Sequence, residues 1–507
     1  MKLPLHTSRF KRIQLLPALL ALCLWGFVPP LIAAENEDGF KPIFNGKDLS
    51  GWDGDPAFWS VEAGAITGRT TAENPAKENT FLIWRDGLVD DFELRLAYRA
   101  VNGNSGIQYR SRELGRWSVG GYQADIETGP QWTGALYDEH GRGPLATRGQ
   151  KTVISEKGEK QSEQVNDPAA LMAKVNQDGW NEYVISARGT HMIHTINGQV
   201  MSETVDNETA KSVRQGILAL QIHTGPPMTV QFKDIRLKRF PLGDKKKIVL
   251  VAGKKSHGHG THEHNGGILL LKHCLDPFSE VLAVTYLDGW PADPTAFDNA
   301  DSLLFFMDGG GGNPMIQDNR LAVLGERMKA GAGLVVLHYA VEVPKDRGGA
   351  EFLDWIGGYY ERPFSTNPIW TAGFKSLPEH PLTRGVKPFT IEDEWYFNMR
   401  FRPDMKGVTP ILSAIPPDEV RGTEAAKAHP GRSEIVAWCA ERPDGGRGFG
   451  FTGGHFHKNW GDGNYRKIIL NAIFWTAKLE VPEGGVPSQV TPDLLDKLLE
   501  NERKTNE

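Results

Sequence analysis

The chain has 507 residues, a formal net charge of −6 and 24% charged residues, a length that suits two or three domains with sizeable cores. Mild acidity without long Lys/Arg blocks argues against nucleic acid as a partner. Fourteen tryptophans and 57 glycines are typical of turn-rich β structure and of sugar-stacking surfaces, although most tryptophans are expected in the core.

The N-terminus has the three parts of a secretory signal peptide. Basic residues at Arg9, Lys11 and Arg12 precede an apolar run over 15–28, and Ala33-Ala34 follows as a small-residue cleavage point. The run is too short for a membrane span. We therefore expect residues 1–34 to be removed and the mature protein to be periplasmic or secreted, without stable membrane insertion.

The three cysteines indicate neither a lipoprotein anchor nor a disulfide framework. A lipoprotein anchor at Cys23 is disfavoured because Leu22 stands where a small residue is needed. Removal of the signal leaves Cys274 and Cys439, which are too few for a disulfide framework. We expect two buried thiols, with a single bridge as the alternative.

Residues 39–240 have the pattern of an antiparallel β domain. The segment 92–100 (FELRLAYRA) alternates apolar and polar residues, and shorter alternating runs separated by Gly and Asn turns recur up to Phe240. Period-two alternation predicts half-buried strands. Many short strands with such turns predict a two-sheet sandwich or jelly roll over this region.

Seven phrases of this region, in order, carry a family resemblance: FKPIFNGKDLSGW, NGNSGIQYR, GYQADIE, TGALYDE, HTINGQV, ILALQIH and VQFKDIRLKRF. They resemble the bacterial 3-keto-disaccharide hydrolase domain. The resemblance implies an all-β, concanavalin-A-like jelly roll that acts on carbohydrate, including 3-keto glycosides. It implies substrate-binding roles for Tyr109, Arg110 and Gln123, and catalytic roles for Asp125, Glu127 and His223.

The residues of segment 122–127 give an independent argument. Alternation places Gln123, Asp125 and Glu127 on one strand face, which either meets solvent or lines a concave cleft. Asp125 and Glu127 could flank a glycosidic bond as paired carboxylates, or hold with His223 a divalent metal that polarises a ketone. A ketone at C3 also acidifies the C2 proton, so cleavage by elimination and cleavage by hydrolysis both stay open.

The polar, charged segment 147–174 interrupts this pattern. It predicts a long surface loop with a short helix at 168–174. A lid over the cleft and an inert loop are equally good interpretations.

After Pro241 the pattern changes to that of an α/β domain. The continuous apolar run 248–252 is typical of a central parallel strand. Further predicted strands lie at 281–286, 302–307, 333–337, 435–440 and 448–452, with helices at 266–274, 319–330 and 465–477. This alternation favours a parallel or mainly parallel sheet. We expect a separately folded domain over 245–480, then a linker and a C-terminal helix within 481–507.

Four histidines follow the strand at 248–252: His257, His259, His262 and His264. In open α/β sheets, ligands bind outside the carboxyl ends of the strands, and imidazole is the commonest metal ligand. The sequence therefore predicts a site in this loop, with His257 and His259 as metal ligands. For any one histidine, a solvated loop position is the alternative.

A second resemblance is carried by the phrases GAGLVVLHYA, IEDEWYF and GFTGGHFHKNWGDGNYRKIILNAIFWTA. They resemble the trehalose-utilisation (ThuA-like) family, whose fold is that of class I glutamine amidotransferases. An amidotransferase has a nucleophilic cysteine at the turn after the strand equivalent to 333–337. Here His338-Tyr339 stands at that turn, which excludes thiolate acyl chemistry at this position.

We predict a pocket in this second domain. It contains His338, His455 and Glu394 as catalytic groups, joined by His257 or His259, and it suits either a metal ion or proton transfer beside a carbonyl. Trp460, within the last phrase, is predicted to bind the saccharide.

The sequence as a whole predicts an exported carbohydrate-active enzyme with a saccharide substrate and a divalent metal as candidate cofactor. Three hypotheses stay open. Catalysis lies in the jelly roll, or it lies in the second domain with the jelly roll as a carbohydrate-binding module, or the protein is a non-catalytic glycan binder. The glycoside and the oligomeric state are left undetermined.

Overall fold

The computed structural model describes Met1 and residues 39–500. Apart from Met1, the predicted signal peptide lies outside the described residues, and so does the end of the predicted C-terminal segment. Export therefore stays a prediction.

The first half is built almost wholly from strands. Their bounds are β1 Lys41–Pro42, β2 Trp52–Asp53, β3 Trp59–Glu62, β4 Ala65–Arg69, β5 Thr80–Trp84, β6 Phe92–Val101, β7 Asn104–Gly115, β8 Ser118–Glu127, β9 Leu136–Glu139, β10 Gly143–Ala146, β11 Gln150–Ile154, β12 Lys160–Gln164, β13 Asn181–Arg188, β14 His191–Ile196, β15 Gln199–Asp206, β16 Ile217–Ile222 and β17 Thr229–Arg239. One short helix, α1 Pro168–Met172, follows the Asp167 cap.

These strands form the predicted two-sheet sandwich. One sheet has the order β12-β11-β15-β14-β13-β6-β17-β4-β3, with β1 beside β17, and the other has the order β10-β9-β8-β7-β16-β5-β2. Along β6, residues 92, 94, 96 and 98 are buried while their neighbours are partly exposed, as alternation predicts. The apolar faces of both sheets meet in one core, which confirms the jelly-roll prediction.

Within the segment 147–174, the predicted loop is wrong at 150–164, whereas the short helix predicted at 168–174 is present as α1. Residues 150–164 form the hairpin β11–β12, and β11 extends the larger sheet by pairing in parallel with β15. All five residues of β12 are exposed, because this edge strand has no second layer to pack against, and so the sequence shows no apolar alternation there. The hairpin lines none of the cleft described below, which removes the lid interpretation.

The second half contains strands β18 Lys246–Ala252, β19 Val281–Tyr286, β20 Ser302–Phe306, β21 Gly333–Leu337, β22 Gly358–Tyr359, β23 Ile369–Phe374, β24 Phe389–Glu394, β25 Arg400–Phe401, β26 Val408–Ala414, β27 Glu434–Glu441 and β28 Arg447–Phe451. Its helices are α2 His264–Leu275, α3 Arg320–Lys329, α4 Gly349–Trp355, α5 Glu424–Lys427, α6 Gly463–Thr476 and α7 Pro492–Glu500. None of the helices in the described part of the chain is long and apolar enough to span a membrane.

The central sheet of this half has the order β19-β18-β20-β21-β28-β27-β26. The first five strands pair in parallel, and β27 and β26 add antiparallel pairs. The prediction of a mainly parallel sheet is confirmed. Helix α7 packs against α2, with Leu498 buried in the core of this half.

A buried ion-pair cluster joins the two halves. Arg239, at the end of β17, contacts Asp90 at 3.1 Å and Asp293 at 2.8 Å. Lys247, in β18, lies 2.6 Å from Asp90, and all four side chains are at most 1% exposed. Although burial raises it, the charges of Lys247 and Arg239 lower the pKa of Asp90 to about 2. Two positive and two negative groups thus balance each other away from water.

The adjacent lysines 246 and 247 allow a matched test of this cluster. We expect Lys247→Met to lower the free energy of unfolding by about 3–5 kcal/mol, because the buried cluster is left with two carboxylates and only one cation, Arg239. The control Lys246→Met removes a half-exposed pair with Asp301 and is expected to cost no more than about 1 kcal/mol. Urea unfolding of the full chain measures both, and equal effects would contradict the buried-cluster interpretation.

Candidate functional site

A cleft of about 300 Å³ lies on the first half of the protein, on the sheet β10-β9-β8-β7-β16-β5-β2. It is on the face of that sheet that points away from the sandwich core. Gln123 and Asp125 reach it from β8, because their neighbours Tyr122, Ala124 and Ile126 face the core. Its other lining residues are Asn79, Asn104, Trp132, Tyr137, Glu139 and His223. The predicted polar face of segment 122–127 therefore lines a cleft rather than meeting bulk solvent.

Gly106 makes the floor of this cleft possible. It pairs with Asp125 across β7 and β8, and the side chain of Gln123 lies over it. A Cβ atom at position 106 would come within 2.5 Å of that side chain, which is far closer than carbon atoms can approach. Strand β7 thus separates Asp125 on β8 from His223 after β16 without filling the space between them.

Asp125 is the most strongly perturbed carboxyl of the cleft. It is only 3% exposed, and burial raises its pKa well above the usual range. A hydrogen bond of 2.8 Å from Nε2 of Gln123 to Oδ1 opposes this effect, whereas the charges of Glu139 and Glu127 add to it. A carboxyl held in its protonated form can donate a proton to a leaving group.

Glu139 takes the place that the sequence assigned to Glu127. Glu139 lines the cleft and accepts a hydrogen bond of 2.9 Å from Asn79. The carboxylate of Glu127 instead accepts the backbone N–H groups of Gln131 and Trp132 at 2.9 and 2.8 Å, so it closes a loop outside the cleft lining. Alternation along β9, where Tyr137 and Glu139 are the partly exposed residues, is the signal that could have found Glu139.

Tyr109 and Arg110 lie away from the cleft, contrary to their predicted substrate-binding roles. The hydroxyl of Tyr109 contacts Nε2 of His194 at 2.9 Å inside the sandwich core. Arg110 is 1% exposed and binds Asp91 at 2.8 Å. The register of β7 shifts between Tyr109 and Arg112, and Arg110 has a φ of +48°. A bulge of this kind redirects side chains and is not visible in the apolar pattern.

A second constellation lies at the carboxyl ends of the parallel strands of the α/β half. His262 follows β18, His338 follows β21, His455 follows β28, and Glu394 ends β24. Four of their ligand atoms lie within 4.8 Å of one another. Nε2 of His262 is 3.1 Å from Nε2 of His338 and 3.0 Å from Nδ1 of His455. These residues could hold a metal ion, as could the group formed by His257, His262 and Asp308.

His338 occupies the sharp turn after β21. Its φ of +54° is left-handed, a conformation that non-glycine residues adopt at a cost and that is concentrated at functional sites. The side chain is fully buried. Burial first, and then the neighbouring His262, lower the pKa of His338 well below its usual range. The ring is therefore neutral and keeps a lone pair available as a base or a ligand.

The histidine loop is arranged differently from the prediction. His257 is exposed and stacks on His262 with ring centroids 3.6 Å apart. His259 is exposed, 3.9 Å from Glu263, and belongs to neither metal-capable group. His262 and Asp308 are the residues that the predicted set omitted. The spacing of four histidines within one loop does not show which of them binds a metal, because their partners follow other strands of the chain.

Trp460 does not line either site. It is 1% exposed and packs edge-on against Phe306 and Tyr465. The predicted saccharide contact is therefore replaced by a packing role, because the turn that carries Trp460 directs the indole into the core beside α6. Trp132 is the partly exposed tryptophan that lines the cleft of the first half.

Comparisons with known families agree with this architecture. Residues 39–238 match the family described as the 3-keto-alpha-glucoside-1,2-lyase-like domain. Residues 249–476 match the family described as trehalose utilisation, ThuA. A search of curated proteins finds no match.

Solved structures are similar to each half in turn. A candidate glycosyl hydrolase from Parabacteroides distasonis ATCC 8503 is 19% identical, with a TM-score of 0.29, over 40% of this chain and 99% of that one. The carbohydrate-binding module CBM66 from Bacillus subtilis is 11% identical, with a TM-score of 0.26, over 37% and 95%. A candidate ThuA-like protein from Bacteroides uniformis ATCC 8492 is 14% identical, with a TM-score of 0.35, over 47% and 94%.

Fold and sites define a two-part protein, a jelly-roll β-sandwich followed by an α/β half with a histidine-rich strand-end site. Its first part is a 3-keto-alpha-glucoside-1,2-lyase-like domain and its second part is a ThuA domain. Both resemblances recognised in the sequence are confirmed.

Trp460 and Trp132 allow a matched comparison of a tryptophan that packs in the core with one that lines the cleft. We expect Trp460→Ala to lower the free energy of unfolding by about 3–5 kcal/mol, because it removes a fully buried indole. Trp132→Ala, at a partly exposed position, is expected to change it by no more than about 1 kcal/mol. Urea unfolding is the measurement, and a Trp460→Ala chain as stable as the wild type would refute the packing role.

The buried carboxyl of Asp125 predicts a pH-dependent gain in stability on mutation. Its pKa in the folded state lies above the unfolded value, so its stabilising contribution is complete at low pH and is lost as pH rises through the folded pKa. We therefore expect Asp125→Asn to raise the thermal midpoint relative to the wild type increasingly as pH increases. A midpoint difference that does not vary with pH would contradict the raised pKa.

Proposed function

We propose that the protein is an exported enzyme that cleaves the glycosidic bond of 3-keto disaccharides or glycosides, and that bond cleavage takes place in the jelly-roll cleft. The observation that carries this proposal is the buried carboxyl of Asp125, whose pKa burial raises well above its usual range and which opens onto a cleft shared with Glu139 and His223. Membership of the first half in the lyase-like family supports the choice of substrate. Export rests on the N-terminal sequence pattern.

The cleft supplies the two groups that the chemistry needs. Asp125, protonated, donates its proton to the oxygen of the leaving sugar. In elimination, His223 or Glu139 accepts the C2 proton that the neighbouring ketone acidifies. In hydrolysis, the same base deprotonates an attacking water. Trp132 offers a partly exposed aromatic face for stacking on a sugar ring.

Aromatic lining alone would suit a non-catalytic glycan binder. The two carboxyl groups of the cleft, Asp125 and Glu139, and the raised pKa of Asp125 favour an enzyme instead. A divalent metal remains our proposed cofactor of the chain.

A second candidate function places the chemistry in the ThuA half, with the jelly roll as a carbohydrate-binding module. The convergence of three imidazoles and Glu394 at the strand ends favours it. A cation at such a site would polarise the carbonyl of a keto-sugar and so assist its isomerisation or hydrolysis.

The test compares variants of the full mature chain on native and 3-keto disaccharides, with product analysis. We expect Asp125→Asn and His223→Ala to keep the fold and to lose a factor of about 10² or more in kcat. The control His191→Ala alters a partly exposed histidine of β14, in the other sheet of the sandwich, and is expected to leave cleavage unchanged. With Asp125 as the acid, the wild-type rate falls as pH rises through its raised pKa.

Two outcomes would move the chemistry elsewhere. Near-wild-type cleavage by both cleft variants, together with its loss in His338→Ala, would support the second candidate. Binding of saccharides without any product from either substrate class would leave a glycan-binding protein.

A further inference from the structure

Four ligand atoms converge in the α/β half with the spacing of a metal coordination shell. They are Nε2 of His262, Nε2 of His338, Nδ1 of His455 and Oε2 of Glu394. The four distances between neighbouring pairs are 3.0, 3.1, 3.2 and 3.5 Å. Ligands about 2.0–2.1 Å from a tetrahedral zinc ion are separated by about 3.3 Å, which is close to these four distances.

Hydrogen bonds outside the set determine which nitrogens carry protons. Nδ1 of His338 lies 2.8 Å from the carbonyl oxygen of Thr452, which can only accept, so the proton is on Nδ1 and Nε2 carries a lone pair. Nδ1 of His262 lies 3.2 Å from the carboxylate of Asp308, which again favours a proton on Nδ1. This is the pattern by which outer partners orient metal-ligating histidines.

As a consequence, neutral imidazoles cannot provide a hydrogen-bond donor for every nitrogen lone pair in this cluster. When both rings are neutral and carry their protons on Nδ1, Nε2 of His262 and Nε2 of His338 face each other at 3.1 Å as two lone pairs. Nδ1 of His455 can donate to only one of its two neighbours, His262 and Glu394. Lone pairs that converge without protons repel unless a cation lies among them.

Glu394 and His455 are also positioned by hydrogen bonds to residues outside the ligand set. Oε1 of Glu394 accepts a hydrogen bond of 3.1 Å from Asn367. The backbone N–H of His455 donates to Asp393 at 3.1 Å. The four side chains are therefore positioned by groups that would keep their places whether or not an ion is bound.

We propose that His262, His338, His455 and Glu394 bind one divalent first-row transition metal ion, with zinc as the best match. Three imidazoles and one carboxylate suit such a metal, whereas Mg²⁺ and Ca²⁺ prefer shells made of oxygen. The side chains of His262 and His338 are at most 2% exposed, but those of His455 and Glu394 are 13% and 17% exposed. Four protein ligands fill a tetrahedral shell, and the exposed edge formed by His455 and Glu394 is where a fifth ligand, such as a water or substrate oxygen, could approach.

The experiment measures metal binding by the full mature chain after removal of bound ions with a chelator. We expect one Co²⁺ per chain, with the intense visible absorption of low-symmetry coordination, and displacement of cobalt by Zn²⁺. His262→Ala and Glu394→Gln are expected to weaken Co²⁺ binding by at least about 100-fold, and Asp308→Asn by about 10–100-fold. The control His259→Ala, at an exposed position outside the set, is expected to bind as the wild type does.

Two results would overturn the proposal. One is a folded, chelator-treated wild-type chain that takes up no stoichiometric metal. The other is a folded Glu394→Gln or His262→Ala chain with wild-type affinity for Co²⁺. Circular dichroism checks that each variant is folded, and Glu394→Gln, which keeps shape and volume, serves if a histidine variant does not fold. Because binding is read without any sugar, this inference and the proposed glycoside cleavage can fail independently.

Discussion

The contact between the two halves of the protein depends on a cluster of buried ion pairs. Where the two halves meet, Asp90, Asp293, Arg239 and Lys247 are buried together and balance one another. A buried ion pair is a weak source of stability compared with apolar packing, but removal of one partner is costly. The cluster therefore fixes the orientation of β17 against β18 and, through them, of one sheet system against the other.

In both candidate sites, burial shifts the pKa of a titratable group in the direction that favours its neutral form, unlike in the ion-pair cluster. Asp90 is buried with cationic partners that lower its pKa to about 2, whereas Asp125 is buried without a cationic partner at hydrogen-bonding distance, and burial raises its pKa well above the usual range. His338 is buried beside other imidazoles, and burial first and then His262 lower its pKa well below the usual range. Groups whose pKa values are displaced by burial, and which still open onto a cleft, are the ones best suited to proton transfer or metal binding.

The two sites differ in how they are supported. The cleft of the first half is a strand face, so its side chains are spaced by the pleat and by the absence of a side chain at Gly106. The histidine cluster of the second half is made by strand ends, where each parallel strand delivers one residue to the same edge. The turn at His338 and the loop after β18 then bring imidazoles from distant parts of the chain into contact.

The sequence by itself determined the periodicities, and with them the jelly roll, the mainly parallel sheet and their order. It also determined that Gln123 and Asp125 share a face and that histidines follow β18. These are local properties, set by the pleat and by which residues are apolar. Only the tertiary structure decided that Glu139 rather than Glu127 joins Asp125, that Arg110 turns away at a bulge, and that His262 rather than His259 meets His338 and His455. Those choices depend on strand neighbours and turn conformations that long-range pairing selects. Alternation along β9 can put Glu139 on the outer face of its strand, but it cannot show that this strand lies beside β8.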